Sequence, residues 1–419
     1  MRSTPSIAVI VPTRNRCQTL ASTLRTCLEQ DYERLEVIVS DNHSDDETAD
    51  VVAAFRDRRL RYVNSGRRLS MSGNFEFALG HSTADYVAFV GDDDGLMPGA
   101  IAKVAELVSA TGAPAVASSS VLYTWPSFPL ENMRNQARVR DTRPGVVWKD
   151  AATEVAQLVR YDGRERNYVW GLPTVYRGFV SAAVIARATV DGRYFNSITP
   201  DAYSAFVNSF FIESYLYSNE PLTLEGVSGS SNGASQIFGS DQREENRYLE
   251  ENDLAVHRDI VYAPSPSIIL AEAYLQARAK FPEACKRHDF SIRRVCLAAL
   301  RDNYSGPNGR RVEDAVAAIG RKHHFRISPS RSLRLRGADV LRRIRDLYRA
   351  MEIDCGHFEV YDVYRASLLV STLLDARRGG GVRAGVGLII AKSGRFLRRR
   401  AVRRPDVTSA RELPTGRDA

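Results

Sequence analysis

Residues 86–94 have the sequence Tyr-Val-Ala-Phe-Val-Gly-Asp-Asp-Asp, an apolar run that ends in three adjacent carboxylates. The five apolar residues are typical of a buried strand, which would deliver the acids to the rim of a sheet. Residues 95–98 follow, and apolar spacing then predicts a helix from residue 99 to about residue 109. The acids therefore occupy a strand-to-helix crossing, which is a common ligand-binding position in α/β sheets.

Adjacent carboxylates repel one another unless a cation or a shared proton neutralises them. Asp92, Asp93 and Asp94 offer only oxygen ligands, which favour Mg²⁺ or Mn²⁺ over Zn²⁺. An isolated Asp triplet is more typical of a solvated acidic turn that caps the next helix, so the triplet alone does not indicate a metal site. The neighbouring strands favour the metal site.

Three other apolar runs end in polar residues. They are residues 7–11, followed by Pro12-Thr13-Arg14-Asn15; residues 35–39, followed by Ser40-Asp41-Asn42; and residues 60–63, followed by Asn64. Helical spacing separates the runs, and residues 44–47, Ser-Asp-Asp-Glu, have the pattern of a capping box. Strands that alternate with helices predict a parallel sheet with right-handed crossovers, in which ligands collect at the carboxyl ends of the strands. The four polar clusters are therefore expected to meet at one edge.

The ordered motifs of residues 11–98 resemble the family 2 glycosyltransferases of the GT-A fold, of the bacterial cell-surface glycan type. The matching segments are Val11-Pro12-Thr13-Arg14-Asn15-Arg16, then Val39 to Thr48, then Gly73-Asn74, and finally Phe89-Val90-Gly91-Asp92-Asp93-Asp94 with Pro98. The resemblance implies an α/β fold with a doubly wound, Rossmann-like sheet that is mixed and mostly parallel. The pattern of the later sequence adds a mainly helical C-terminal extension.

The resemblance also implies the ligands. A nucleoside diphosphate sugar is the expected donor, and the residues expected to bind it are Pro12, Thr13, Arg14, Asn15, Asp41, Asn42, Asn74, Asp92 and Asp93. Within this set, residues 12–15 would line the nucleoside pocket and Asp41 would accept a hydrogen bond from the base. The aspartate triplet stands at the family's metal-binding motif, so the resemblance implies Mn²⁺ or Mg²⁺ as the cofactor.

Gly91 stands at the first position of that motif, where many family members have an aspartate. The expected metal ligands are therefore Asp94 first and Asp92 second, with Asp93 as a substitute. A bound cation would stabilise the negative charge that builds on the departing diphosphate.

Asp201 is the predicted catalytic base. Pro200 and Asp201 open a segment with apolar residues at helical spacing, and family members carry their catalytic aspartate in a comparable place, after an acceptor-binding stretch. Such a base would take the proton of an acceptor hydroxyl, on the face of the sugar opposite the leaving diphosphate. The alternative is a first-turn aspartate that only favours the helix dipole.

Composition sets the cellular context. A chain of 419 residues with 44% hydrophobic composition predicts one large domain and a smaller one. Five scattered cysteines without metal-type spacing favour free thiols in a reducing compartment. The first apolar run begins at residue 7, which leaves no room for a signal peptide, and no segment reaches the roughly 18 to 20 apolar residues that span a bilayer. The expected location is cytoplasmic, at the inner face of the cell membrane.

The C-terminal third is strongly basic. Residues 377–404 contain ten Lys or Arg and no Asp or Glu, and they account for much of the net charge of +8. Basic residues interleaved with apolar ones suit an amphipathic segment on an anionic membrane surface. A disordered, solvated tail is the alternative, and nucleic acid is not an expected partner.

The expected organisation has three parts. Residues 1–240 form the glycosyltransferase domain, with a nucleotide-sugar half at 1–120 and an acceptor half at 121–240. Residues 241–375 form a helical domain, and residues 376–419 form the basic tail. The expected activity is inverting, metal-dependent transfer of a sugar to a hydroxyl of a glycan or lipid-linked acceptor in cell-surface polysaccharide synthesis.

Two rival enzyme classes lack their motifs. No Gly-x-Gly-x-x-Gly follows the first apolar run, as a dinucleotide-binding dehydrogenase requires, and no Gly-x-x-x-x-Gly-Lys-Ser/Thr loop is present for an ATPase. A non-catalytic nucleotide-sugar-binding or scaffold protein that retains the fold is the remaining alternative. The oligomeric state, including a homo-oligomer, is left open.

Overall fold

The computed structural model describes residues 4–139, 142–161, 171–231, 242–302, 308–327 and 351–378. Within these residues, eleven strands form one sheet. The strands are β1 (Ile7–Thr13), β2 (Leu35–Asp41), β3 (Leu60–Asn64), β4 (Tyr86–Phe89), β5 (Gly95–Leu96), β6 (Ala115–Thr124), β7 (Gln136–Val139), β8 (Val146–Asp150), β9 (Phe179–Ser181), β10 (Ser214–Val227) and β11 (Met351–Asp354).

Twelve α-helices surround the sheet in the same part of the chain. They are α1 (Cys17–Leu28), α2 (Thr48–Ala53), α3 (Met71–Leu79), α4 (Ala100–Thr111), α5 (Ala151–Val159), α6 (Ala182–Ala188), α7 (Pro200–Phe211), α8 (Gln242–Glu250), α9 (Pro266–Lys280), α10 (Ile292–Asp302), α11 (Gly309–Lys322) and α12 (Val363–Arg378). Most elements beyond residue 240 are helical, as the sequence predicts.

The sheet is mixed and mostly parallel. Its main path runs β11-β7-β6-β9-β4-β1-β2-β3, and β10 pairs with β5, β6 and β8. The first four strands are parallel neighbours, while β9 is antiparallel to both β4 and β6. Seven strands run in one direction, namely β1, β2, β3, β4, β6, β10 and β11. The predicted fold class is confirmed.

Helices cover both faces of the sheet, which is why β1 and β2 are continuous apolar runs. Val9 and Val37 pack with α1, α2, α4 and α12 on one face. Ile10 and Ile38 pack with α3, α5, α6, α7 and α9 on the other. A further core joins α9 to α10 and α11, so the helical region packs on the sheet through α9.

The predicted capping box at residues 44–47 is wrong. Helix α2 begins at Thr48, and its N-cap residue, Glu47, makes no side-chain capping bond. The Ser44 hydroxyl instead accepts a hydrogen bond from the backbone N–H of Asn15 at 2.9 Å, and Asp46 accepts one from the backbone N–H of Cys17 at 3.0 Å. Contacts with the turn after β1 therefore replace the Ser44–Glu47 box, although Asp46 also accepts the backbone N–H of Thr48, the first residue of α2, at 3.1 Å.

Residues 351–378 return to the sheet. Strand β11 pairs with β7, and α12 packs in the same layer as α1. The predicted helical region of residues 241–375 thus includes a strand of the sheet and a helix packed on it, and the division into domains stays a prediction. The predicted tail, residues 376–419, lies outside the described residues from residue 379 onward. No described helix has the length and apolar content needed to cross a bilayer.

Strand β10 passes very close to the loop that carries the three aspartates. A Cβ atom at Gly226 would lie 1.6 Å from the carbonyl oxygen of Asp93, a distance that no side chain tolerates. The backbone N–H of Gly226 uses this approach to donate to Asp94 at 2.7 Å. A glycine is therefore required where β10 meets the loop.

Replacement of Gly226 is expected to force the strand and the loop apart. Gly226→Ala should lower the free energy of unfolding by about 3 kcal/mol, near the upper end of the usual overpacking cost, because backbone atoms must move. Urea unfolding measures this loss. Gly80→Ala is the matched control, since Gly80 has helical φ and its added Cβ would meet only ordinary contacts of 3.5 Å or more. Equal effects in both variants would contradict the prediction.

Glu272 joins the helical region to the segment before α7. Its side chain is fully buried in α9, and it accepts hydrogen bonds from the Ser197 hydroxyl at 2.6 Å and from the backbone N–H of His257 at 3.3 Å. Burial raises the pKa of Glu272 above its ordinary value of 4.5, although the hydrogen bonds from Ser197, Gln276 and His257 lower it. The folded state therefore holds the proton of Glu272 more tightly than the unfolded state does.

This difference predicts a pH dependence of stability. With a raised folded pKa, the contribution of Glu272 is complete below the unfolded pKa and is lost as the pH rises through the folded pKa. The unfolding free energy of wild type, relative to Glu272→Gln, should therefore fall as the pH rises above the ordinary pKa of 4.5. Urea unfolding at a series of pH values measures the difference. A difference that is constant across this range would rule the assignment out.

Candidate functional site

Three polar side chains lie in one row at the carboxyl ends of β1, β2 and β3. Thr13 is in register with Asp41, and Asp41 is in register with Asn64. Asp41 is buried and accepts hydrogen bonds from the hydroxyl of Tyr62 at 2.5 Å, from Asn64 Nδ2 at 3.1 Å and from the backbone N–H of Ser44 at 2.9 Å. The predicted meeting of the strand ends is therefore observed, and these bonds fix the Asp41 carboxylate.

The end of β1 and the turn that follows it, residues 12–15, close against the segment after β2. Asn15 has a φ of 55°, in the left-handed region that asparagine tolerates better than most residues. Its side-chain oxygen accepts the backbone N–H of Asp45 at 2.9 Å. Arg14 points to the C-terminal half of the chain and pairs with Glu251 at 2.6 Å. Pro12 is half-buried beside this turn.

Two predicted donor-site residues serve the scaffold. Asn42 makes two hydrogen bonds with the backbone of Leu69: it accepts the N–H at 2.8 Å and donates to the carbonyl at 2.9 Å. Asn74 in α3 accepts the Ser40 hydroxyl at 2.9 Å. Both asparagines are buried, so they shape the edge of the sheet from behind.

Residues 91–94, called the acidic loop here, continue directly from β4. Asp92 is the most exposed of its three carboxylates, and it accepts a hydrogen bond from Thr13 Oγ1 at 2.8 Å. The Thr23 hydroxyl of α1 donates to the carbonyl oxygen of Asp92 at 3.0 Å and to that of Asp94 at 2.7 Å. The loop is thus tied both to the end of β1 and to α1.

The buried Asp93 binds the segment after β10. Its Oδ2 accepts hydrogen bonds from the Ser228 hydroxyl at 2.7 Å, from the Ser228 N–H at 3.3 Å and from the Ser231 hydroxyl. Its carbonyl oxygen accepts the indole N–H of Trp125 at 2.9 Å. Asp93 therefore anchors the small-residue segment that follows β10.

Asp94 is enclosed by the backbone. It is 2% exposed, and it accepts the N–H of Gly226 at 2.7 Å and the N–H of Gly91 at 3.1 Å. The Tyr176 hydroxyl also hydrogen-bonds to it. A Cβ at position 91 would lie 2.5 Å from this hydroxyl, which explains the glycine at the first position of the motif.

The acidic loop carries more negative charge than its surroundings neutralise. Desolvation raises the pKa of Asp94, and the charge of Asp93 raises it further, against the opposing charge of Arg177. Desolvation and Asp93 likewise raise the pKa of Asp92, against Arg16. Carboxylates whose pKa is raised in this way favour the approach of a cation.

The acidic loop suits a divalent cation that needs few protein ligands. Among the described residues, no group of three or more His, Cys, Asp or Glu side chains is arranged to hold a metal ion. Mg²⁺ commonly binds through one or two carboxylates together with substrate phosphates, so a complete protein cage is not required. Asp92 is suited to this role because it is partly exposed, whereas both oxygens of Asp94 already accept backbone N–H groups.

Asp201 lies in the first turn of α7 and is half-buried. Desolvation raises its pKa, although the N–H of Ala202 and the charge of Arg177 lower it. Its carbonyl oxygen accepts the hydroxyls of Thr174 at 3.1 Å and Ser204 at 2.8 Å. A raised pKa makes this carboxylate a stronger base than an ordinary first-turn aspartate.

Residues 174–177 connect Asp201 to the acidic loop, and we call them the bridging segment. The segment binds the backbone of Asp201 through Thr174 and pairs with the end of β4, where the Phe89 N–H donates to Val175 and the Arg177 N–H donates to Phe89, both at 2.7 Å. The predicted base and the predicted metal site are therefore held by one short piece of backbone.

Arg177 is a site residue that sequence reasoning missed. Its side chain is buried and forms an ion pair with Glu225 at 3.1 Å, and its charge acts on both Asp94 and Asp201. Its φ is 61°, a conformation that arginine rarely adopts. The sequence shows an arginine next to Tyr176, but it indicates neither the left-handed backbone nor the partners of Arg177.

Sequence reasoning also missed the contacts made by the end of α8 and the segment after it. Glu251 pairs with Arg14, and Asp253 pairs with Arg193 at 2.6 Å and accepts the Ser70 hydroxyl. The Tyr248 hydroxyl donates to the carbonyl of Ile198, just before α7. The C-terminal half thus contacts both the turn after β1 and the approach to Asp201.

Comparison with known proteins agrees with this geometry. Residues 8–166 match the family model described as glycosyl transferase family 2. Two curated relatives are the GalNAc(5)-diNAcBac-PP-undecaprenol beta-1,3-glucosyltransferase of Campylobacter jejuni, 36% identical over 24% of this chain and 33% of the relative, and the validoxylamine A glucosyltransferase of Streptomyces hygroscopicus subsp. jinggangensis, 38% identical over 23% of each chain.

A third relative is the UDP-Glc:alpha-D-GlcNAc-diphosphoundecaprenol beta-1,3-glucosyltransferase WfaP of Escherichia coli, 27% identical over 21% of this chain and 35% of the relative. A similar solved structure is that of an S. aureus TarS fragment in complex with UDP-GlcNAc, 13% identical, covering 77% of this chain and 93% of that chain with a TM-score of 0.43. The chain spans about a third or less of the length of these curated relatives. Residues 8–166 are therefore similar to the family 2 glycosyl transferases, as the ordered motifs of the first strands predict.

Proposed function

We propose that the protein is an inverting, metal-dependent glycosyltransferase that moves a sugar from a nucleoside diphosphate sugar to a hydroxyl of a glycan or lipid-linked acceptor. One observation carries the proposal: the hydrogen bond from Thr13 to Asp92 joins the acidic loop to the row of residues that contains Asp41. The carboxyl edge of a parallel sheet is where such folds bind nucleotides. The names of the Campylobacter jejuni and Escherichia coli relatives, both of which include an undecaprenol-linked acceptor, support the acceptor class.

In this proposal, the donor lies along the carboxyl edge. The turn of Pro12, Thr13, Arg14 and Asn15 borders the nucleoside, and Asp41 accepts a hydrogen bond from its base. Three hydrogen bonds already reach Asp41, and a carboxylate has about four acceptor positions, so one is left for a ligand. Asn42 and Asn74 are buried and stabilise this edge through their hydrogen bonds to Leu69 and Ser40.

The members of the acidic loop have different roles. Asp92 holds the cation, while Asp93 and Asp94 fix the loop to β10 through the donors that they bind. A bound Mn²⁺ or Mg²⁺ would stabilise the negative charge on the departing diphosphate. This order of ligands differs from the one that the family motif implies, because the backbone N–H groups around Asp94 already occupy its oxygens.

Asp201 acts as the base. It takes the proton of the acceptor hydroxyl as that oxygen bonds to the anomeric carbon, and the positive charge of Arg177 favours the ionised form of its carboxylate. The proposed location is the inner face of the cell membrane. The basic sequence of residues 376–419, most of which lies outside the described residues, is the proposed membrane contact.

Substitution in the acidic loop should separate metal binding from loop structure. Asp92→Asn should lower Mn²⁺-dependent donor hydrolysis and transfer by about 100-fold or more, since Lewis-acid stabilisation is worth several kcal/mol, and it should leave the melting temperature nearly unchanged. Asp94→Asn should lower the melting temperature by several degrees, because its amide meets two N–H donors. Activity assays, Mn²⁺ titration and thermal unfolding measure these effects.

Asp50→Asn is the control for both variants, because Asp50 is exposed on α2 and remote in sequence from the loop. Full Mn²⁺-dependent turnover in Asp92→Asn would remove Asp92 as the metal ligand. Metal-dependent donor binding by wild type without turnover on any acceptor would favour the non-catalytic nucleotide-sugar-binding protein instead.

Substitution of the base should affect transfer alone. Asp201→Asn should keep donor affinity and lose transfer by about 100-fold or more, the usual contribution of a general base. In wild type, the transfer rate should fall as the pH drops through the pKa of Asp201, which lies above 3.8, because only the carboxylate accepts the proton. Steady-state kinetics across pH and donor titration provide the measurements. Unimpaired transfer in the variant would eliminate Asp201 as the base.

A further inference from the structure

A cavity of about 560 Å³ lies in the helical region, between α9, α10 and the end of α11. None of its described lining residues belongs to the acidic loop, the turn after β1 or the bridging segment. Its size is within the range of small-molecule sites.

The lining of this cavity is basic. Three arginines, Arg258, Arg278 and Arg293, and two histidines, His257 and His323, contribute to it. Asp259 is the one carboxylate among the described lining residues. With neutral histidines the formal charge of the lining is therefore +2, from three arginines and one aspartate.

The three arginines are available to a ligand. All three are exposed, and within the described parts of the chain none of them forms an ion pair with a carboxylate. Guanidinium groups bind phosphate oxygens through paired hydrogen bonds. A cluster of three such groups at one opening favours an anion with several oxygens.

One side of the cavity is apolar. Leu275, Phe290, Ile292 and Phe325 contribute carbon surface beside the arginines. An inorganic anion would leave this surface uncovered, whereas an anion attached to a hydrocarbon chain would cover it, which is favourable.

Hydrogen bonds within the protein fix residues 257–259 of the cavity lining without a ligand. His323 Nε2 donates to the carbonyl oxygen of Asp259 at 3.0 Å, and the Lys322 ammonium donates to the carbonyl of Arg258. The backbone N–H of His257 donates to Glu272 of α9. The turn of residues 257–259 is therefore fixed to two helices.

The positive charges around the cavity affect the pKa of His257. Burial lowers the pKa of this imidazole, Asp259 raises it, and the charges of Arg258, Lys322 and Arg278 lower it again. Three cations thus act on one neutral side chain. A site with this field attracts an anion.

We propose that the cavity binds a phosphate or diphosphate group attached to an apolar chain. The arginines hold the phosphate oxygens, and the aromatic and aliphatic side chains cover the beginning of the chain. Both a polyprenyl diphosphate and an anionic phospholipid have this chemistry. Glu272 accepts hydrogen bonds both from His257 of the lining and from Ser197, four residues before Asp201.

Calorimetric titration of the full chain with farnesyl diphosphate tests the proposal. The affinity should fall about tenfold or more in Arg278→Gln/Arg293→Gln, because two charge-assisted contacts are lost. The matched control is Arg56→Gln/Arg67→Gln, which removes the same charge from exposed positions in the first domain and should bind like wild type. Inorganic pyrophosphate should bind more weakly than farnesyl diphosphate, because it leaves the apolar lining uncovered. UDP should displace neither pyrophosphate nor farnesyl diphosphate.

Co-sedimentation with phosphatidylglycerol vesicles distinguishes the two sources. If vesicle binding also falls in Arg278→Gln/Arg293→Gln, the cavity takes membrane phospholipid as well; if only farnesyl diphosphate binding falls, it takes the polyprenyl ligand. No binding of either probe by wild type, equal binding by all variants, or displacement by UDP would overturn the proposal. None of these measurements requires sugar transfer, so the result is independent of the proposed transferase activity.

Discussion

The whole site depends on hydrogen bonds that keep three adjacent carboxylates together at one edge of the sheet. Each acid in the acidic loop has donors from a different part of the chain: Thr13 from β1, Ser228 from the segment after β10, and backbone N–H groups for Asp94. Buried charges without such partners cost several kcal/mol each. These bonds lower that cost and leave a local excess of negative charge, which is what a cation-binding edge requires.

Much of this arrangement follows from short apolar runs. The ends of β1 to β4 could be predicted because polar residues follow each mainly apolar run, and parallel pairing then brings Thr13, Asp41 and Asn64 into one row. The class of fold and the position of the acidic loop follow from the same pattern. The metal ligands, the base and the donor contacts stay predictions, because they depend on a ligand.

Other parts could not be predicted because distant residues decide them. Ser228 reaches Asp93 across 135 positions, and no local pattern specifies such a contact. The Ser44 hydroxyl could cap a helix, but the backbone of Asn15 takes it instead. Arg177 adopts a left-handed backbone that its side chain disfavours, and this conformation is stabilised only by the surrounding strands and by Glu225. Tertiary contacts override local propensity at these positions.

The ion pair between Arg14 and Glu251 joins residues 237 positions apart. During translation, Arg14 leaves the ribosome long before Glu251 is synthesised. Contacts of such long sequence separation form late, because their loop-closure entropy is lost before the contact is gained. The Arg14–Glu251 pair can therefore form only after the helical half has been synthesised and has docked.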